Sequence, residues 1–337
     1  MDNLFKIRTL TTAINNLNTP QAVFFNRFFA PKGRMETSDR LAFDILSGSS
    51  KILKNLSVTA EAEIREQTSR TTVTMTAPRI APKKFIPIAE LNAMRAFGAQ
   101  ALPERMRDKI AREQVDMLNE IARTWEFQAV NAMKGRIYDS DGKSILVDYN
   151  LPATHRVQLT GTDVWTDLDD ALITTQIDEW QRLISDDSEA NITSFVAYMG
   201  SSAWSNMLKN DDIRELLAPA KKELIATAGT ISNLVNTELN RYLGSYIDNS
   251  DVRQRYVGAN EFILIGMSDD MTDLPYAPIL DSEAPNGVGN VIAGGRSVPI
   301  FSKSWLRRDP SGRWIKAEAR ALPVLQRPEN VIVVQTV

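Results

Sequence analysis

The most regular pattern of apolar and polar positions in the chain lies between Pro103 and Gly135. Apolar residues recur there at steps of three and four, so they share one face of a helix: Met106, Ile110, Met117, Leu118, Ile121, Trp125, Ala129 and Met133. Proline at the start and glycine at the end are typical helix boundaries. The pattern predicts one helix over residues 103–134, about 48 Å long at the α-helical rise, whereas globular helices average about 11–12 residues.

The first 36 residues do not have the pattern of a domain, because they are mostly polar and end in a concentrated aromatic group. This group, here called the phenylalanine patch, consists of Phe24, Phe25, Phe28 and Phe29. It falls on a short helix that Pro31 and Gly33 terminate. We predict an N-terminal arm. The patch packs either on the chain's own core, which is the more frequent case, or on a neighbouring molecule, because aromatic anchors dominate interfaces.

Residues 37–88 predict two strands joined by a long excursion. Apolar residues alternate with polar ones in both strands, which carry Leu41, Phe43 and Ile45 in the first and Val73 and Met75 in the second. Three prolines between residues 78 and 87 then exclude a central strand. An isolated hairpin is only marginally stable in water. We therefore expect this hairpin to pack either on the surface of the same subunit or in an interface with another copy. We hypothesise that other copies of the chain bury Val73, Met75 and the phenylalanine patch.

The region after the long helix predicts a hairpin with Asp141-Gly142 at its turn and then a separate α/β body over residues 156–300. A capping box at Thr166–Asp169 predicts the start of a helix that runs to Ile184. A strand at 192–199, a helix pair at 200–217, a helix at about 223–241 and strands within 246–266 follow. A mobile glycine-rich loop is predicted at 281–296.

The tail from Val298 to Val337 returns to strand character and ends in the apolar run VIVVQTV. Such a run implies a strand that is buried on both faces. We expect this strand to lie in a sheet beside the long helix rather than in the α/β body that precedes it.

Composition limits the chemistry that is available. The chain has 337 residues, of which 43% are hydrophobic, enough for roughly two domains with proper cores. It has no cysteine and one histidine, which excludes disulfides, thiolate metal sites and poly-histidine metal sites. No run approaches the ~18 apolar residues of a membrane span. We expect a soluble protein of a reducing cytoplasm that contacts no membrane.

Charge is distributed unevenly although the net charge is only −3. Residues 1–100 hold 14 Lys/Arg and 8 Asp/Glu, a net +6, and the rest holds 25 and 34, a net −9. Opposite charges on two parts of a chain steer copies onto one another. We therefore hypothesise that the basic first part of one copy binds an acidic surface on its neighbour, although chance drift of charge explains the pattern about as well.

Arrangements typical of catalysis do not occur in the sequence. Gly48-Ser-Ser and Gly200-Ser-Ser lack the last glycine of a nucleophile elbow, and no glycine-rich phosphate loop is present. His155 follows the predicted hairpin and is expected at the surface or in a linker. We predict a protein that is not an enzyme and has no catalytic, cofactor-binding or metal-binding residues.

Several segments occur in an order and spacing that resemble the major capsid protein of lambda-like tailed bacteriophages, the capsid protein E family. They are FFNRFF at 24–29 followed by Thr37, APRIAPK at 77–83, YMGSSAW at 198–204, GANEFILIG at 258–266, and finally Trp305, Asp309-Pro310, Leu322-Pro323 and RPENV at 327–331. The resemblance covers nearly the whole chain.

The resemblance implies the α+β fold of tailed-phage and herpesvirus major capsid proteins. Its parts would be an N-terminal arm at 1–36, an extended β-hairpin loop at 37–88, a peripheral domain at 89–155 with the spine helix at 103–134, an α/β axial domain at 156–299, and a return to the peripheral domain at 300–337.

The resemblance also implies a head protein that self-assembles as hexamers and pentamers into an icosahedral phage shell around double-stranded DNA. The expected partners are other copies, a scaffold protein, a portal, a decoration protein and loosely contacted packaged DNA. The expected location is the virion capsid, after assembly in the cytoplasm of the bacterial host. Residues expected at subunit interfaces are Phe24, Phe25, Phe28, Phe29, Arg65, Arg70, Val73 and Met75.

Two other functions are alternatives at this stage. An encapsulin-type nanocompartment would use the same fold to hold cargo enzymes instead of DNA, and the lambda-like C-terminal pattern argues against it. A nucleic-acid-binding protein would bind DNA as an isolated subunit with strong salt dependence, and the acidic body argues against that function.

Overall fold

The structure is a computed structural model that describes residues 6–15, 22–47, 69–87, 90, 102–139, 141–188, 190–217, 229–281, 283–284 and 299–337. Two compact units divide the chain. The first comprises Met1–Ala42, Thr74–Ala129 and Leu274–Val324, and the second comprises Phe43–Val73, Val130–Asp273 and Leu325–Val337. Each unit is therefore assembled from three separate stretches of sequence.

The described helices are α1 (Ile7–Asn15), α2 (Leu102–Met133), α3 (Ile173–Asp187), α4 (Ser201–Lys209) and α5 (Asp211–Leu216), together with a short helical segment at Phe25–Phe29. The predicted long helix is thus confirmed as α2, displaced by one residue at each end. Its apolar face is buried, with Met117, Ile121, Ala129 and Met133 at 0% exposure. Gly135 has φ +87°, the left-handed conformation that ends many helices.

The strands are β1 (Gly33–Met35), β2 (Arg40–Ser47), β3 (Ser69–Thr76), β4 (Lys83–Pro87), β5 (Arg136–Tyr138), β6 (Ile145–Asp148), β7 (Arg156–Gln158), β8 (Ser194–Met199), β9 (Thr230–Leu234), β10 (Thr237–Arg241), β11 (Ser245–Ile247), β12 (Arg253–Arg255), β13 (Glu261–Met267), β14 (Thr272–Tyr276), β15 (Ile300–Arg307), β16 (Gly312–Ala319), β17 (Val324–Leu325) and β18 (Val331–Gln335). The predicted pairs β2–β3 and β5–β6 are both present, and Gly142 at the β5–β6 turn has φ +68°.

The main sheet of the first unit is three-stranded with the order β15-β16-β4. The proline-flanked strand β4 lies at one edge, as the prolines require. Helix α1 covers the other edge. The Thr11 hydroxyl donates to the Ser302 carbonyl at 2.9 Å and accepts from the Ser302 N–H at 3.1 Å, and the Asn15 amide bonds the Ile300 backbone in the same way. These side chains satisfy backbone groups that an open edge strand would expose.

The second unit is built on a six-stranded sheet with the order β7-β18-β13-β8-β10-β9. The terminal strand β18 pairs antiparallel with β13 and parallel with β7. The prediction that this strand lies beside the long helix is therefore wrong, because β18 joins the sheet of the α/β body. The prediction of its burial is confirmed, since Val331, Ile332 and Val334 are 0% exposed.

The predicted helix over residues 223–241 is also wrong where the structure describes it. Residues 230–241 form the hairpin β9–β10, whose turn residues Val235 and Asn236 have φ of 48° and 56°, as a two-residue hairpin turn requires. Strand β10 pairs in parallel with β8 along five residues. Pairing with the buried strand β8 therefore determines the conformation of β10 and outweighs the local helix propensity of its residues.

The capping box at Thr166–Asp169 does not start a helix, because α3 begins only at Ile173. The Asn210 side-chain amide donates to the carbonyls of Leu168 and Ala171 at 3.1 and 2.9 Å and holds this stretch in a turn. The Asp212 carboxylate accepts from the Thr174 N–H at 3.3 Å and its hydroxyl at 2.6 Å. A residue from another helix thus provides the cap. Most of the predicted glycine-rich loop at 281–296 lies outside the described residues.

Candidate assembly surfaces

The phenylalanine patch packs against α2 within the first unit. The carboxylate of Glu126 accepts the Phe24 N–H at 3.0 Å and the Phe25 N–H at 2.9 Å. The Phe25 ring stacks on Trp125 with 4.7 Å between the centroids. Backbone N–H groups at the beginning of a helix have no partner within the helix, so the Glu126 carboxylate fixes the beginning of this helical segment to α2.

The four rings of the patch are between 0% and 3% exposed in the single chain. The hypothesis that other copies bury them is therefore wrong: the chain's own core covers them. Glu126, which is itself 1% exposed, was not predicted from the sequence. The signal in the sequence was its position on α2. Glu126 lies four residues from both Ala122 and Val130, so it places a carboxylate on the apolar face of the helix.

Two apolar side chains of the β2–β3 hairpin are partly accessible to solvent. Leu41, Phe43 and Ile45 are buried, whereas Val73 and Met75 are half-buried. The Thr72 hydroxyl donates to the Asp44 carboxylate at 2.7 Å and ties the strands together. Among the other predicted interface residues, Arg65 and the side chain of Arg70 lie outside the described residues.

An ionic cluster around the buried Glu318 in the first unit was not predicted from the sequence. Glu318 is 1% exposed, and its carboxylate accepts two hydrogen bonds from the Arg79 guanidinium, at 2.9 and 3.0 Å, and pairs with Lys316. Asp281 pairs with Lys303 at 2.6 Å. Burial alone would raise the pKa of Glu318, but the hydrogen bonds and charges of Arg79 and Lys316 outweigh it and hold that pKa below its ordinary value.

One face of the β15-β16-β4 sheet carries aromatic rings and cations in rows. Cross-strand register places Trp305, Trp314 and Phe85 side by side. The Lys83 ammonium lies 4.8 Å from the Trp314 centroid, and the Arg307 guanidinium lies 5.5 Å from that of Phe85. Aromatic and arginine side chains of this kind are enriched in protein interfaces, and Trp305 is 37% exposed.

His155 is completely buried, which corrects its expected surface or linker position. Its Nδ1 lies 2.9 Å from the Val331 carbonyl oxygen and its Nε2 lies 3.0 Å from the Asp187 carboxylate. The imidazole thus joins β18 to the end of α3 and has a structural role.

Among the residues that the structure describes, no group of three or more His, Asp or Glu side chains is placed to hold a metal ion. None of the helices in the described ranges is both long and apolar enough to cross a membrane.

Comparison with protein families gives a match over residues 6–336 to the family described as Phage major capsid protein E. The chain belongs to this family. It is therefore a phage major capsid protein, a structural subunit of the virion shell, and the predicted membership is confirmed. Comparison with curated proteins gave no match.

Solved structures support the capsid fold of this family member. A protein described as a prophage capsid protein of Escherichia coli CFT073 has a TM-score of 0.66 at 18% identity, over 98% of both chains. A phage-related protein from Bordetella bronchiseptica RB50 has a TM-score of 0.57 at 12% identity, over 98% of this chain and 96% of that one. The SrpI encapsulin of Synechococcus elongatus has a TM-score of 0.50 at 9% identity, over 96% and 91% of the two chains. The predicted α+β capsid fold is confirmed.

Glu126→Ala is expected to lower the free energy of unfolding of the capsid subunit by about 1–3 kcal/mol, because it leaves the N–H groups of Phe24 and Phe25 buried without acceptors. Chemical denaturation of the unassembled subunit measures this change. The matched control is Glu120→Ala on the exposed side of α2, which should change the value by less than about 0.5 kcal/mol. Equal effects of the two substitutions would contradict the role given to Glu126.

Glu318→Gln is expected to destabilise the subunit at neutral pH by about 1–3 kcal/mol. The pKa of Glu318 is lower in the folded than in the unfolded state, so its contribution is present above the ordinary carboxyl pKa and is lost as pH falls through the folded-state value. The difference between wild type and variant should therefore shrink below about pH 4. Urea unfolding across pH measures it, with the more exposed Glu283→Gln as control. A constant difference would refute the pKa assignment.

Proposed function

We propose that copies of this major capsid protein assemble as hexamers and pentamers into an icosahedral head that encloses double-stranded DNA, and that the protein catalyses no reaction. The family match over residues 6–336 carries the proposal. The half-buried Val73 and Met75 on a two-stranded hairpin support it, because a hairpin of this kind gains stability when another surface covers it.

The domain roles in the shell are part of the same proposal. Residues 1–36 would be the arm, 37–88 the extended loop, 89–155 the peripheral domain and 156–299 the axial domain. The return to the peripheral domain is proposed for 300–324 only, because β18 belongs to the six-stranded sheet.

Subunit interfaces are proposed at the hairpin, with Val73, Met75, Arg65 and Arg70 as its contributing residues. Val73 and Met75 are half-buried in the single chain, and methionine and arginine are residue types enriched in interfaces. We also propose that the net-positive first 100 residues meet acidic surface of a neighbouring copy.

The remaining partners follow from head assembly in general. A separate scaffold protein, a portal and a decoration protein would bind the shell from inside, at one vertex and from outside, and packaged DNA would touch it loosely. Assembly would take place in the bacterial cytoplasm. An encapsulin-type compartment is the alternative, because SrpI has the same fold. Electron microscopy of purified particles distinguishes DNA-filled heads from shells that hold protein cargo.

Replacement of residues 48–68 by a four-residue Gly/Ser turn is expected to leave a folded subunit that no longer forms full-size shells. The reason is that the strands β2 and β3 remain, while most of the proposed extended loop, including the proposed interface residue Arg65, is gone. Sedimentation and negative-stain microscopy measure the product, and circular dichroism checks folding. The control variant Lys143→Ala, at the tip of the β5–β6 hairpin, should assemble normally. Full-size shells from the shortened chain would refute the role of the loop.

A further inference from the structure

The second unit presents an exposed patch on the β11–β12 hairpin. Register pairs Ile247 with Arg253 and Ser245 with Arg255, so these four residues share one face and Tyr246 and Gln254 share the other. Ile247 is 60% exposed, and both arginines are exposed. The hairpin patch is defined as Leu243, Ile247, Arg253 and Arg255, in which Leu243 is 46% exposed.

The hairpin is held rigidly from its other face and at its turn. The Tyr246 ring lies 5.0 Å from that of Tyr256, and Tyr256 is buried. The Asp248 carboxylate accepts the N–H groups of Ser250 and Val252 at 2.9 Å each, so its charge is used within the turn. The two arginines donate to Ser245 and Leu243 beside them. A rigid surface of this kind loses little entropy when it docks.

A patch of opposite charge surrounds the beginning of α3 and the whole of α5. Leu172 and Leu216 belong to it and are 55% and 60% exposed. Around them lie six acidic residues and a single arginine within 166–172 and 210–217: Asp167, Asp169, Asp170, Asp211, Asp212, Glu215 and Arg214. This set is called the acidic patch. The Asn210 and Asp212 hydrogen bonds described above join its two stretches into one surface.

We propose that the hairpin patch of one capsid subunit docks on the acidic patch of the next copy. This inference rests on the proposed function, since it specifies how copies meet within a capsomer. Each patch combines exposed aliphatic residues with charged ones, and the prevailing charges of the two patches are of opposite sign, which favours correct register over wrong pairings.

The two patches consist of different residues of the same unit, so the contact is heterologous. A heterologous contact generates a ring when its rotation closes and an open filament when it does not, and the hexamers and pentamers of the proposed shell are such rings. One type of contact between two surfaces of the second unit thus suffices to build a closed capsomer.

The absence of cysteine from the chain gives a direct test. The double variant Ile247→Cys, Leu216→Cys is expected to form disulfides between copies when assembled particles are treated with a mild oxidant. Denaturing electrophoresis without reductant should then show a ladder that ends at the ring size. Each single-cysteine variant should stay monomeric, because a heterologous contact brings together two different positions. The matched control pairs Leu216→Cys with Ile145→Cys, on another two-stranded hairpin and 51% exposed, and should give no ladder.

Several results would overturn the docking proposal: no ladder from the double variant, a disulfide within one chain, a dimer from either single variant, or an equal ladder from the control pair. Micrographs of wild-type protein separate this failure from that of the proposed function. Wild-type shells without a ladder refute only the docking, whereas a ladder from a protein that forms no shells supports the docking and refutes the head function.

Charge exchange gives a second, independent readout. Arg253→Glu is expected to lower the yield of assembled particles at least tenfold with an unchanged circular dichroism spectrum, and addition of Glu215→Arg should restore the yield. Lys143→Glu, the same charge change on the β5–β6 turn, should leave the yield within twofold of wild type. A normal yield from Arg253→Glu, or no rescue by Glu215→Arg, would count against the docking.

Discussion

The first unit depends on one constraint: the apolar face of the 32-residue helix α2 must be shielded from water along most of its length. The segments that cover it come from distant parts of the sequence. Phe25 stacks on Trp125 from one side and the edge of the Tyr276 ring meets it from another. Gln114 donates to the carbonyl of Leu10 at 2.9 Å and so holds α1. Each large apolar side chain removed from water in this way contributes about 1.5–3 kcal/mol.

Buried charges give this packing its specificity. Arg320 is 4% exposed, donates to the carbonyls of Pro278 and Ala77 at 2.9 and 3.1 Å, and pairs with Asp39. Glu126 and Glu318 likewise join segments about a hundred residues apart or more. Burying a polar group without a partner costs free energy. Any arrangement that displaces the partners of these side chains is therefore destabilised. We regard them as the reason why extended, proline-rich segments take one defined course over the helix and sheet.

The sequence predicted those features that depend on local pattern. The period of α2, the Asp141-Gly142 turn and the buried character of VIVVQTV all follow from spacing that a few neighbouring residues set. The location of β18 did not follow, because an apolar run is equally suited to any buried sheet. The helix predicted over residues 223–241 is wrong for residues 230–241, because the β9–β10 pairing and the parallel pairing of β10 with β8 make them strands. The phenylalanine patch was predicted, but the side chains that pack on it were not. Glu126, which binds the backbone of Phe24, lies about a hundred residues away in the sequence.

The position of β18 between β13 and β7 has a consequence for how the subunit is made. Strands β14 to β17 separate β18 from β13 in the chain, so β13 and β7 each keep an unpaired edge until β18 has been synthesised. Domains generally fold as units during translation, but this sheet is complete only after the first-unit stretch Leu274–Val324 has also been synthesised. A chain without β18 therefore exposes two unpaired strand edges, and such edges are templates for pairing with other chains.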